Sequence, residues 1–205
     1  MGRKLMADST SHAVVGVALR VRAGRLEVLL ADGRLPEATV APGEPLAAAL
    51  GRALDVGALA HVEQLETRAL EDGRLATAYL GLAPPPDGAP GDDWRSGATL
   101  PPEQAELVAA AQARLRAKLS YTNVGFALAP ATFTISELRE LYVAALGYDV
   151  SATNLQRVLV RRRVLERVDG VRAPGRSGGR PAALFRFKSN RLEVTDEFAA
   201  LRPPR

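Results

Sequence analysis

The 205-residue chain has no cysteine, which excludes a disulfide framework, a thiolate zinc site and a cysteine nucleophile. Histidine is almost as scarce. His12 and His61 are the only two, too few for a histidine-rich metal centre. Long apolar runs are also missing: no stretch approaches the roughly 20 residues that a membrane helix needs. The N-terminal MGRKLMADST is basic but has no apolar core behind it, so it does not read as a signal peptide. Lysine is nearly absent too, with Lys4, Lys118 and Lys188 as the whole set. These absences lead to the expectation of a cytoplasmic, soluble protein without metal or cofactor. The remaining composition, 47% hydrophobic and 24% charged, is that of a globular chain with room for one large or two small domains.

The charge that is present is unevenly placed. Met1 to Ser120 hold 13 Lys+Arg against 15 Asp+Glu, whereas Tyr121 to Arg205 hold 14 against 8. Between Ser151 and Arg191 there are 11 cations and only two acids, Glu166 and Asp169. Concentrated basic charge is the usual footprint of a nucleic-acid partner. A high-arginine proteome would explain arginine in place of lysine, but not why acids avoid this segment.

The first half reads as mixed α and β. Apolar runs near 12–22 and 26–31 flank Arg22-Ala23-Gly24-Arg25, a hairpin signal. Residues 44–55 carry Leu46, Ala49, Leu50, Ala53 and Leu54 on one helical face. Two further strands, 62–70 and 75–82, are split by the turn Glu71-Asp72-Gly73-Arg74. Residues 83–97 are a proline- and glycine-rich loop by composition. A long helix follows over 101–119, with proline at its start and Leu107, Ala110, Ala111, Leu115 and Leu119 as its apolar stripe. His61 and Trp94 read as structural.

The second half is punctuated more sharply. Thr134 and Glu137 form a capping-box pair, and the helix they open stops at Gly147. After a short turn Ser151 caps a second helix over 152–163 that buries Leu155, Val158 and Leu159. By themselves these two helices fit a helix-turn-helix and equally an αα-hairpin. Strand-like segments follow at 164–168 and 184–187. Between them lies a stretch with Arg176, Arg180 and three glycines but no acid. Helix, turn, helix and a two-stranded ribbon with a basic tip is the order of a winged helix. Asn154, Arg157 and Arg161, spaced three and four apart, share one exposed face, where asparagine can read adenine and arginine guanine. Thr153 joins these as a DNA-binding candidate, Arg162 and Arg163 are candidate phosphate contacts, and Arg176 and Arg180 would contact the backbone or minor groove from the wing.

The run from Arg114 through Leu119-Ser120-Tyr121-Thr122, Phe133-Thr134, Asn154, Arg157 and Gly179-Arg180-Pro181-Ala182 resembles the Nudix-related transcriptional regulators of the NrtR type. Ala41-Pro42-Gly43-Glu44, Val62-Glu63-Gln64-Leu65 and Ala78-Tyr79-Leu80 extend the resemblance loosely into the first half. It implies an α+β chain: a degenerate Nudix-like α/β/α domain over 1–120, for sensing and dimerisation, and a winged helix-turn-helix DNA-binding domain over 121–205. It further implies a homodimeric repressor of NAD or sugar metabolism, on a pseudo-palindromic double-stranded operator, that ADP-ribose or a related nucleotide releases. Thr153 and Gln156 stand where the family's recognition helix usually carries cations.

The hydrolase signature of that family, G-x5-E-x7-R-E-U-x-E-E-x-G-U, needs clustered glutamates to hold divalent metal. Glu44 and Arg52 match it. Ala38 replaces the first glycine, Ala53, Val56 and Gly57 replace the three glutamates, and Leu59 replaces the last glycine. Asp55 is the only acid between 52 and 62. Metal-assisted hydrolysis is therefore not expected, and no catalytic residue is assigned. An apolar cleft can still hold a nucleotide, so a ligand sensor and a bare dimerisation scaffold both remain open. Arg20, Arg22 and Arg68 are the candidate ligand-phosphate partners, and each also reads as an ordinary surface arginine. Two other classes stay in view: a Nudix-type pyrophosphohydrolase with a basic appendage, and an interaction module that binds protein or RNA.

Overall fold

The computed structural model describes residues 11–86, 93–173 and 181–196. Its elements run β1 (His12–Arg22), β2 (Arg25–Leu29), β3 (Glu37–Thr39), α1 (Leu46–Ala53), β4 (His61–Ala69), β5 (Leu75–Leu82), β6 (Trp94–Arg95), α2 (Pro102–Tyr121), α3 (Ile135–Leu146), α4 (Ala152–Arg161), β7 (Leu165–Arg172) and β8 (Ala182–Phe187).

β1 organises the first half. It is apolar from Ala13 to Leu19 and buried on both faces, as a central strand covered on two sides must be. It pairs parallel with β5 and antiparallel with β2 and β3, which share its other edge: β3 lies along Ala13–Val15 and β2 along Leu19–Arg22. The sheet order is β4-β5-β1-β2-β6. The β1–β2 hairpin turns at Ala23 and Gly24, both at positive φ, the geometry that matches the twist of a two-residue hairpin loop.

Alternation along β1 separates two layers. Val14 faces α1 and packs with Ala49, Leu50 and Leu54. Val15, Val17, Leu19 and Val21 face the opposite way into the main core. At Gly16, on the α1 side, a Cβ would lie 1.9 Å from Leu54 Cδ2, so only glycine lets the end of α1 settle on the strand. On the other face α2 buries Gln104, Leu107, Ala111, Leu115 and Leu119. Gln104 accepts from the Leu35 backbone N–H at 3.0 Å, which pins the start of α2 to the sheet.

α2 reaches beyond position 120, and a turn of 3-10 helix at Val124–Ala127 leads on to α3. The main core is continuous from Val15 on β1 through Leu115 and Leu119 on α2 to Leu138, Leu159 and Leu165. β7 and β8 form a separate antiparallel ribbon. Phe133 and Phe185 exchange backbone hydrogen bonds at 2.9 and 2.8 Å, and the Phe133 and Phe187 rings meet at 5.4 Å. The large apolar residues at the end of the ribbon thus anchor it to the helices. The residues after β8 return to the α2 end: Asn123 donates to the Arg191 carbonyl at 2.8 Å and accepts from the Glu193 N–H at 2.7 Å.

Several boundaries differ from those expected, each for a visible reason. The helix expected over 44–55 spans only Leu46–Ala53, because Pro45 sits extended before it and Leu54 turns extended to pack on Gly16. Asp55 then accepts from the Gly57 N–H at 3.0 Å and closes a separate 3-10 turn, Val56–Ala58. The helix expected to reach 163 ends at Arg161, since Arg163 adopts φ 56°. The first ribbon strand extends to Arg172 through an irregularity between Val168 and Val171. The short strands β3 and β6 are additions, β6 lying inside the stretch read as loop. Among the described residues no helix is long and apolar enough to cross a membrane.

Candidate nucleic-acid interface

α3 and α4 are held at both ends. The Thr134 hydroxyl accepts from the Glu137 N–H at 3.2 Å while the Glu137 carboxylate accepts from the Thr134 N–H at 2.7 Å, the reciprocal pairing of a capping box. Gly147 ends α3 at φ 79°. Arg139 on α3 then donates to the Val150 carbonyl at 2.8 Å and pairs with Asp149, which fixes the turn. Ser151 caps α4 by accepting from the Asn154 N–H, and Leu155 and Leu159 dock α4 in the core.

That docking leaves Thr153, Asn154, Gln156, Arg157 and Arg161 exposed. Arg157 Nη2 donates to Asn154 Oδ1 at 2.8 Å, so two of the expected base-reading side chains are already coupled. Arg161 and Arg163 are exposed, and neither makes an ion pair among the described residues. Arg162 is placed otherwise. Its guanidinium donates to the Ser120 carbonyl at 2.6 Å and pairs with Asp196 at 3.1 Å, and its side chain is 11% exposed. It ties α4 to the end of α2, a bracing position at odds with the expected phosphate contact. Arg176 and Arg180 lie outside the described residues.

On the ribbon, Arg172 pairs with Glu137 at 2.8 Å and Arg186 pairs with Glu166. Arg167 is exposed and lines a cleft of about 310 Å³ with Thr134, Ser136 and Gln156, between α3, α4 and the ribbon. Sequence reasoning passed over Arg167 and Gln156 as contact candidates. The signal available was the place of Arg167 in a segment whose only acids are Glu166 and Asp169.

In the first half, Arg20 and Arg22 come together on β1 and Arg68 stands apart on β4, two strands away. Arg20 is no surface arginine. It is 4% exposed, donates to Glu27 at 2.7 Å and stacks on Trp94 with its guanidinium carbon 4.3 Å from the ring centroid. Among the described residues its buried Nη2 has no hydrogen-bond partner. Arg22 lies 3.6 Å from the same Glu27 carboxylate, so one carboxylate faces two guanidinium groups. Arg68 is engaged by Glu66 and by Glu106 of α2, the latter at 2.8 Å. Trp94 has a definite structural role as the platform for Arg20.

Where the hydrolase signature would fall, Glu44 binds Arg52 at 2.8 Å and accepts from the Ala41 N–H at 2.8 Å. The Arg52 hydrogen bond and the Ala41 N–H hold the Glu44 carboxyl below its usual range. Arg52 also donates to the Thr39 carbonyl at 2.7 Å, so this pair braces the loop before α1. Among the described residues no three acidic or histidine side chains converge in a metal-binding group. A different carboxylate, Glu63 on β4, gathers His61 at 3.1 Å, Lys118 at 2.8 Å and Arg114 at 3.2 Å. Burial pushes its carboxyl up, but hydrogen bonds from Lys118 and His61 and the Lys118 charge outweigh that and hold it below the ordinary value.

Residues 125–187 match the family model described as the NrtR DNA-binding winged helix domain. Over 82 residues, 40% of this chain, the sequence is 34% identical to the ADPR responsive transcriptional repressor NtrR of Acinetobacter baylyi. That match spans about a third (32%) of the relative's length. The fold is similar to that of Shewanella oneidensis NrtR complexed with a 27mer DNA, with TM-score 0.69, 24% identity, and 86% of this chain and 93% of that one covered. It is also similar to a MutT/nudix family protein from Enterococcus faecalis, with TM-score 0.65, 19% identity, and 89% and 90% covered. Residues 125–187 thus match the NrtR DNA-binding winged helix domain, and the chain has the α+β fold, Nudix-like and then winged helix, of the Nudix-related transcriptional regulators it resembles.

Proposed function

We propose that this protein is a sequence-specific DNA-binding transcriptional regulator that acts as a homodimeric repressor in the cytoplasm. Residues 121–205 form its DNA-binding domain and residues 1–120 its sensor and dimerisation domain. The observation that carries this reading is the exposed face of α4: Thr153, Asn154, Arg157 and Arg161 with no acid among them, on a helix fixed by a capped neighbour and a braced turn. Such a helix can enter a major groove, and two copies related by a dyad would read a pseudo-palindrome. Arg176 and Arg180 supply wing contacts, and Arg167 joins them as a phosphate contact from the cleft it lines.

The first half acts as a sensor of ADP-ribose or a related nucleotide rather than as a hydrolase. Ala53, Val56 and Gly57 leave nothing to hold divalent metal, and the last two lie beyond the end of α1. Arg20 supports the sensing role. A buried guanidinium with an orphaned Nη2 is costly unless a further acceptor arrives, and a ligand phosphate is such an acceptor. Arg22 would share that phosphate, and Arg68 enters only if the ligand draws it from Glu66 and Glu106.

The test is selection of duplexes from a randomised pool at roughly physiological salt, with and without ADP-ribose. Recovery of a palindromic sequence whose binding ADP-ribose weakens is the expected result. Recovery that ADP-ribose leaves untouched would retain the regulator and remove the sensor. A pool without enrichment would overturn the reading.

A further inference from the structure

The outward face of α4 has an apolar flank. At 100° per residue, Leu155 and Leu159 mark the buried side and Arg157 stands opposite them; Arg161 and Asn154 flank it on one side, and Thr153 and Val160 on the other. Val160 is 51% exposed, and it stands outside the set of half-buried residues that pack on either core. A β-branched residue is a poor choice for an exposed helix position, where alanine or a straight-chain residue favours the helix more. Helix propensity therefore gives no reason for valine at 160. Its neighbours on the same face are Arg157, one turn earlier, and Arg161, and the Arg157–Asn154 hydrogen bond draws the guanidinium toward the Asn154 side of the helix. That leaves the Thr153–Val160 side of the face without charge.

We infer that Val160 is a specificity-determining residue that reads the C5-methyl group of a thymine in the major groove, with the Thr153 methyl group extending the same apolar strip. This inference rests on the DNA-binding reading above. The chemistry suits the groove. Thymine is distinguished there by its methyl group, and apolar contact is the way side chains recognise it. Val160 would set sequence preference on one side of the contact made by Arg157, where the family's usual cations are replaced by Thr153 and Gln156.

The experiment uses the full chain and duplexes that it selects itself from a randomised pool. In each selected site every thymine is replaced in turn by deoxyuridine, which removes only the methyl group, and affinities are measured for the wild type and for Val160→Ala. One methyl group taken from water is worth about fourfold per contact. The wild type is expected to lose about that factor at one symmetry-related pair of positions, and Val160→Ala to be insensitive to the replacement there. Val160→Ala removes an exposed side chain and improves helix propensity, so it folds. Matching deoxyuridine profiles for the two proteins would overturn the role of Val160 while leaving sequence-specific binding intact. Failure of the wild type to select any sequence would overturn the DNA-binding reading and this inference together.

Discussion

Arg157→Ala is the sharpest test of the α4 interface. In the free protein the guanidinium donates to Asn154 Oδ1 at 2.8 Å, on an exposed helix face where such a pair is worth about 0.5–1 kcal/mol. A bidentate contact from arginine to guanine carries about 1–3 kcal/mol of discrimination. Giving up the Asn154 bond to reach the base places the net loss at about 1–2 kcal/mol per half-site. The proposed dimer would make the contact twice, so Arg157→Ala should weaken operator binding by about 30- to 1,000-fold. The loss should vanish on duplexes already altered at the contacted base pair. The assay is equilibrium titration over a range of salt. A base-reading arginine leaves the slope of log affinity against log salt nearly unchanged, whereas a phosphate contact lowers it by about one per subunit. Unchanged operator affinity would refute the recognition-helix assignment, and a uniform loss on all sequences with a shallower slope would move Arg157 to the backbone.

Three further outcomes are expected. Asn123→Ala, at a residue 1% exposed, strips the Arg191 carbonyl and Glu193 N–H of their partners and should cost about 1–3 kcal/mol; an unchanged urea midpoint would count against the anchoring role of Asn123. Restoring glutamates at Ala53, Val56 and Gly57 should not yield magnesium-dependent cleavage of ADP-ribose, because α1 ends at Ala53 and positions 56 and 57 leave its axis; product release by the triple variant would disprove this. Glu63 has a depressed folded-state carboxyl, so it adds stability above its ordinary value of 4.5 that disappears as pH falls through the folded-state value. Glu63→Gln should therefore flatten the acid limb of the stability–pH curve, and an acid limb identical to wild type would refute the contribution.

The features legible in the sequence were those written in adjacent residues. The capping box at Thr134 and Glu137, the stop at Gly147 and the turn at Ala23-Gly24 each depend on backbone chemistry within a few positions, and all three stand where the sequence put them. The α4 face followed from helical spacing alone. Features that depend on distant residues were not legible. The burial of Arg20 requires Glu27 and Trp94 on two other strands. The inward turn of Arg162 requires Asp196, 34 residues later, and the Ser120 carbonyl on another helix. The early end of α1 depends on Gly16, a residue on another strand whose missing side chain is filled by Leu54. β3 and β6, three and two residues long, are too short for alternation to show.

The unbroken core from β1 through α2 to α4 has a mechanical consequence. A helix whose apolar stripe is buried at both ends leaves no slack segment between the halves, and α3 also packs on the β1–β2 hairpin. Bending the chain between its halves would mean opening close-packed apolar contact, and such contacts have few intermediate arrangements. That packing favours motion of the two halves together as one piece. Under the proposed regulation, a signal received in the first half cannot swing the reading head on its own stalk. It must alter the separation or tilt of two rigid bodies, and with it the fit to the helical pitch of DNA.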